Sequence, residues 1–150
     1  MEARRVSIAE RLVASGLCVL AGVALISVAW RFASHGGTQS VVGMLVSPIS
    51  PLPRAQSLGY LALSFGGAIA VGRFRAPAWT LLLPFVFATV QMCDVATTNF
   101  HESMFDARAL LGFGVAHDLG RACVLGGLLC AGLTWWSHHD GANARAAEPQ

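Results

Sequence analysis

Gln91, Asp94, Thr98 and His101 follow one another at steps of three, four and three, which places four polar side chains on one face of one helix. His117, Asp118 and Arg121 come a short way further on, again at helical spacing. Between them these residues supply carboxylates, imidazoles, an amide and a guanidinium. Such groups carry protons, hold a quinone headgroup or bind an anion when they are kept away from bulk water. If the first helix leaves a bilayer near Asn99 and the next enters near Val115, Asp94 and Arg121 sit at similar depth and pair. That pair has a structural reading, in which it offsets its own desolvation and fixes the register of two helices. It also has a working one, a small polar pocket lined by Gln91, Asp94, His101, His117 and Arg121 that takes a quinone headgroup, a proton or an anionic substrate. A third arrangement leaves His117 and Asp118 in solvent on an interfacial loop.

Other chemistries find less support. His101 and His117, with Glu102, Asp106 and Asp118 as oxygen donors, are the only grouping near a metal set. No HExxH, paired CxxC or Cys/His cluster exists, and no histidine falls mid-span for haem. No metal is therefore expected, and His138-His139 is at most a weak surface attractor. Cys123 and Cys130 lie seven residues apart, a helical rise of about 10 Å against the roughly 7 Å reach of a disulfide. Together with Cys18 and Cys93 they read as small apolar packing residues rather than a thiol relay. There is no GxSxG nucleophile motif, so the sequence leans away from an enzyme.

The elements that must position these side chains follow from composition. The 150 residues are 55% hydrophobic and only 12% charged, about half the usual charged share, with a net charge of +2 and no basic run longer than two. A disordered chain, a disulfide-stapled miniprotein and a nucleic-acid partner are excluded on those grounds. Uncharged stretches run from Leu12 to Trp30, Ala55 to Gly72, Ala76 to Cys93 and Ala122 to Ser137. Lipid offers no partner for backbone polar groups, and these runs do not alternate as barrel strands would, so each reads as a helix. The expectation is an all-α, polytopic four-helix bundle with spans near 10–33, 57–73, 77–99 and 115–137, the fourth extended backwards across Arg121, Asp118 and His117. A polar, disordered tail follows over 138–150.

The first apolar run, 19 residues long, exceeds the usual 7–15 of a signal peptide even though Ser27-Val28-Ala29 resembles a cleavage site, so a retained helix is expected. Arg4, Arg5, Arg11, Arg73, Arg75 and Arg145 fall on one side of such a bundle, and Arg31, Arg54, Arg108 and Arg121 on the other. That excess puts both termini on the cytoplasmic side. Arg73 to Pro77 forms a tight basic turn that makes spans two and three antiparallel neighbours. Val41 to Leu52 reads as an outer interfacial loop, and Phe100 to Gly114 as a short amphipathic helix lying on the bilayer. Helices in lipid pack through small residues. Ala62, Gly66 and Ala70 recur at steps of four on span two, as do Cys123, Gly127 and Ala131 on span four, beside Ala122, Gly126 and Cys130. These stripes are expected to pack the bundle or a homo-oligomer.

Leu58 to Gly67, followed by Val71-Gly72-Arg73-Phe74-Arg75-Ala76-Pro77-Ala78, resembles the DoxX/MauE-type family of small bacterial membrane proteins, where a Gly-rich second span ends in a basic turn. The resemblance implies four spans and an association with membrane redox chemistry. It carries over no catalytic residue. The expectation is thus a small subunit or accessory protein of a bacterial-type inner membrane, packing against itself or a larger complex. The alternatives are a quinone-binding oxidoreductase component with an outer-leaflet pocket, and a transporter or channel for a small solute or protons. Ten arginines and no lysine fit a GC-rich coding sequence.

Overall fold

The computed structural model describes residues 7–33, 54–98 and 104–146, with side chains over 7–29, 54–93 and 114–140. The chain is all-helical there, in the order α1 (Ile8–Ala33), α2 (Arg54–Gly72), a 3-10 turn (Ala78–Leu82) leading into α3 (Leu83–Thr98), and α4 (Met104–Ala146). Three stretches, Ile8–Ala29, Arg54–Gly72 and Gly114–Asp140, are long and apolar enough to cross a membrane, and Ala78–Cys93 is a shorter apolar helix.

Local chemistry sets the ends of these elements. Helix α1 opens on a capping box: the Ser7 N–H donates to Glu10 Oε2 at 2.9 Å and the Glu10 N–H to Ser7 Oγ at 3.1 Å. Helix α2 stops where Arg75 takes a left-handed backbone (φ 59°), letting the Ala76 N–H reach back to the Ala70 carbonyl at 2.9 Å. Pro77 then starts the 3-10 turn, and Thr80 donates to its carbonyl through N–H (3.1 Å) and Oγ1 (2.5 Å). The sequence led us to expect one uniform helix over 77–99. Pro84 is the reason for the difference, since it has no N–H for the Thr80 carbonyl and its ring would crowd that oxygen in an α-helix. As a residue of the first turn of α3, Pro84 is tolerated.

Helix α4 departs most from expectation. In place of a surface helix over 100–114, a span and a disordered tail, one helix runs unbroken from Met104 to Ala146. No proline interrupts it, and Ala107, Ala109, Leu110 and Leu111 at one end, with Ala142, Ala144 and Arg145 at the other, are good helix formers. At about 1.5 Å per residue its length is about 65 Å, twice a hydrocarbon core.

Direction is read from which residues meet. Gly22 meets Gly120, while Gly127 meets Ser15 and Val19, so α1 and α4 are antiparallel. Ser57 meets Asp118, Ser64 meets Ala122 and Gly126, and Gly72 meets Cys130, so α2 and α4 run parallel. Gly59 meets Phe87, Tyr60 meets Gln91 and Gly67 meets Thr80, so α2 and α3 are antiparallel. The chain therefore alternates up and down, and α4 is the axial helix, packed chiefly on α1 and α2.

Close approach of backbones makes this packing possible. A methyl on Gly22 would lie 2.6 Å from the Gly120 carbonyl oxygen, and one on Gly67 2.6 Å from that of Thr80. The core between these crossings holds Cys18, Tyr60, Ala88, Val115, Leu119, Ala122 and Cys123, with a second cluster of Ala68, Val71, Leu81 and Cys130. Large apolar side chains cover the outside instead, among them Leu17, Leu20, Leu58, Trp79, Val90 and Leu128. A coat of that kind suits lipid and not water.

The small-residue stripes divide. Cys123 and Gly127 are buried toward α1, and Gly126 and Cys130 toward α2, with Ala131 half-buried. On α2, however, Ala62 and Gly66 are exposed, Gly66 has open space around it, and Ala70 is half-buried. Within the chain the packed face of α2 lies further round the helix, on Tyr60, Ser64, Gly67, Ala68 and Val71. Ser64 decides this, because its hydroxyl donates to the Ala122 carbonyl at 2.6 Å and its side chain needs the space that Gly126 leaves open.

Candidate functional site

Polar side chains gather where α2 begins. Ser57, one turn into α2, donates its hydroxyl hydrogen to Asp118 Oδ2 at 2.5 Å. The other carboxylate oxygen, Oδ1, lies 3.3 Å from Nδ1 of His117. Both α4 residues are buried, at 2% exposure for His117 and 5% for Asp118, so the arrangement with these two in solvent is overturned. Parallel packing of α2 on α4 is what brings residue 57 level with residue 118.

Beside this network a cavity of about 290 Å³ opens between α2 and α4, lined by Arg54, Ser57, Leu58, Leu61, Asp118, Arg121 and Leu125. Arg121 is half-buried, three residues from Asp118 and four from His117, on the same side of α4. It makes no ion pair or hydrogen bond with any described residue. Its expected partner Asp94 has its side chain outside the described residues, as His101 lies outside them entirely. What Arg121 shares its surroundings with is Asp118 and Arg54.

Gln91 has a different role from the one its spacing suggests. It accepts a hydrogen bond from the Tyr60 hydroxyl at 2.5 Å, and Tyr60 is wholly buried with its ring edge-on to Phe87 at 5.2 Å between centroids. Of the five expected site residues, the structure places His117 and Arg121 beside the cavity and ties Gln91 to the α2–α3 contact. Sequence reasoning missed Arg54, Ser57 and Tyr60. The signal for Ser57 was its step of three from Arg54 and of seven to Ser64, a thin polar line along an otherwise apolar helix.

A second polar cluster lies at the opposite end. Arg11 of α1 is 4% exposed and donates to the Gly72 carbonyl at 3.4 Å, and the Ser137 hydroxyl approaches the same oxygen at 3.5 Å. Gly72 is the last residue of α2, where carbonyls lack helical partners and the helix dipole favours a cation. The sequence places Arg11 only among the arginines of one side of the bundle; in the structure it caps α2. Arg11 Nε and Thr134 Oγ1 are buried there without a partner among the described residues.

Among the described residues no group of three His, Cys, Asp or Glu side chains could hold a metal ion. Cys18, Cys123 and Cys130 are buried and Cys93 is exposed, and none of the four forms a disulfide. Compared with protein-family models, curated proteins and solved structures, the chain matches none of them.

Proposed function

We propose that this chain is a small, non-catalytic binding subunit of a bacterial-type inner membrane, with four spans, both termini on the cytoplasmic side, and the α2–α4 cavity as its working surface on the outer half. One observation carries the reading. Ionisable groups within a span cost roughly 2.5–3.5 kcal/mol each on insertion scales, yet Asp118 and Arg121 stand in one, and Arg121 has no partner among the described residues. This guanidinium faces a cavity, as the cationic group of a binding site does.

The alternating directions support four crossings. With α2 and α4 parallel, the chain between them must return across the layer. Ala78–Thr98 has the reach: five residues of 3-10 at about 2.0 Å and sixteen of α-helix at about 1.5 Å give about 34 Å. The basic Arg73 and Arg75 turn, Arg11, and the exposed Trp79, Trp135 and Trp136 fall toward one end, as residues of a cytoplasmic interface do. Redox association rests on the family resemblance and nothing in the site adds to it. A solute path through Gln91 is disfavoured, since that amide is engaged by Tyr60.

The test is to purify wild type and Arg121→Gln in mild detergent and compare melting temperature and co-purifying small molecules by mass spectrometry. A binding role predicts an unchanged melting temperature and a lost or depleted ligand. A melting temperature lowered as far as that of a core-packing variant would make Arg121 a structural residue and sink the reading.

A further inference from the structure

We propose that the α2–α4 cavity seats the headgroup of an anionic amphiphile, a single phosphate or carboxylate carried on an acyl chain. The proposal rests on the binding reading above and adds the class of ligand.

Charge comes first. Arg54 and Arg121 bring two permanent positive charges to the cavity wall, and Asp118 brings one negative charge that Ser57 and His117 already engage. The remaining surplus is cationic, and a planar guanidinium presents paired N–H donors that match a phosphate or carboxylate. A neutral quinone ring needs hydrogen-bond donors but gains nothing from a second guanidinium.

Shape points the same way. At about 290 Å³ the cavity lies at the low end of ligand sites and accommodates a headgroup, not a whole lipid. Its remaining wall is Leu58, Leu61 and Leu125, of which Leu58 is 64% and Leu125 39% exposed on the outer surface of the bundle. A ligand anchored at the arginines would thus lay its chain along the apolar flank toward Leu128, itself 58% exposed.

The experiment reads local lipid enrichment by quenching. The full chain carrying Cys93→Ser is labelled with bimane at Leu128→Cys, or at Leu20→Cys on α1 as a reference, and placed in phosphatidylcholine nanodiscs. Chain-brominated phosphatidylglycerol, brominated stearate or brominated phosphatidylcholine is added as a minor component. The proposal expects both anionic quenchers to be enriched over phosphatidylcholine at position 128 by about fivefold, the equivalent of about 1 kcal/mol for one arginine against an anionic headgroup, with no enrichment at position 20. If only one of the two is enriched, that one names the source, lipid or free fatty acid. Arg54→Gln with Arg121→Gln should abolish the enrichment, Arg121→Lys should keep most of it, and Arg73→Gln at the far end should leave it unchanged.

Equal quenching by all three lipids, or enrichment indifferent to the double Gln variant, overturns the proposal. So does loss of enrichment on adding inorganic phosphate, which would make the ligand a small free oxyanion, or equal competition by neutral decylubiquinone. If position 20 is not quenched even by brominated phosphatidylcholine, the membrane reading itself fails, an outcome distinct from all the others.

Discussion

Asp118 shows how much a neighbour decides about a residue. From spacing alone it could have been a solvent-exposed loop acid, but buried at 5% exposure it accepts a short hydrogen bond from Ser57 and lies beside His117. Hydrogen bonds to a buried charge contribute about 1.5–3 kcal/mol, so Ser57→Ala should lower stability in a detergent unfolding titration by about that much. Asp118→Asn, whose amide oxygen still accepts from Ser57, should lose less than Asp118→Leu, which leaves the serine hydroxyl without its acceptor. Equal losses would mean that the carboxylate charge, not the hydrogen bond, holds α2 to α4. Arg75 offers the opposite case. Its left-handed backbone (φ 59°) costs a side-chain-bearing residue about 1–2 kcal/mol, so Arg75→Gly should raise thermal stability although it removes a charge from the turn.

At the scale of elements, apolar run length made the four helices readable, and spacing along a helix identified polar faces. What the sequence could not supply was rotation about each axis. The stripe of Ala62 and Gly66 has the same composition as the packed stripe through Gly67 and Ala68, and only Ser64 meeting Ala122 across the interface selects between them. For the same reason spacing places Gln91 on a polar face but gives no sign of Tyr60, whose hydroxyl donates to it. Partners remote in sequence are invisible to periodicity. Glycines provide a graded test of the packing. Gly120→Ala would put a methyl 2.8 Å from the Gly22 carbonyl oxygen, and overpacking of that kind costs about 1–3 kcal/mol. Gly132→Ala, with nothing within 4 Å, should be neutral or stabilising by up to about 1 kcal/mol through helix propensity. If both changes behave alike in thermal denaturation, α1 and α4 do not cross at these residues.

For the whole molecule, the decisive property is that the start of α1 and the far part of α4 meet at the same end, through Arg11, Gly72 and Ser137. Reporters of sidedness fused after Gln150 and inserted after Glu102 should therefore report opposite compartments, the tail cytoplasmic and the insertion outside. Finding both on one side would remove the fourth crossing, since only α4 lies between the two reporters. A tail reported outside and an insertion reported inside would keep the crossings and reverse the orientation taken from arginine placement.

The Gly22–Gly120 contact also bears on how the protein is made. Its two halves lie about a hundred residues apart in the chain, and at about 5–20 residues per second the ribosome needs at least several seconds to synthesise the second after the first. Throughout that time α1 waits in the bilayer with its small-residue face uncovered, because the surface it fits belongs to α4, which follows about a hundred residues later. Slow translation, or early termination before residue 120, would therefore leave α1 open to other small-residue helices or to membrane proteases. The vulnerable moment for this protein is its biosynthesis, before the axial helix arrives.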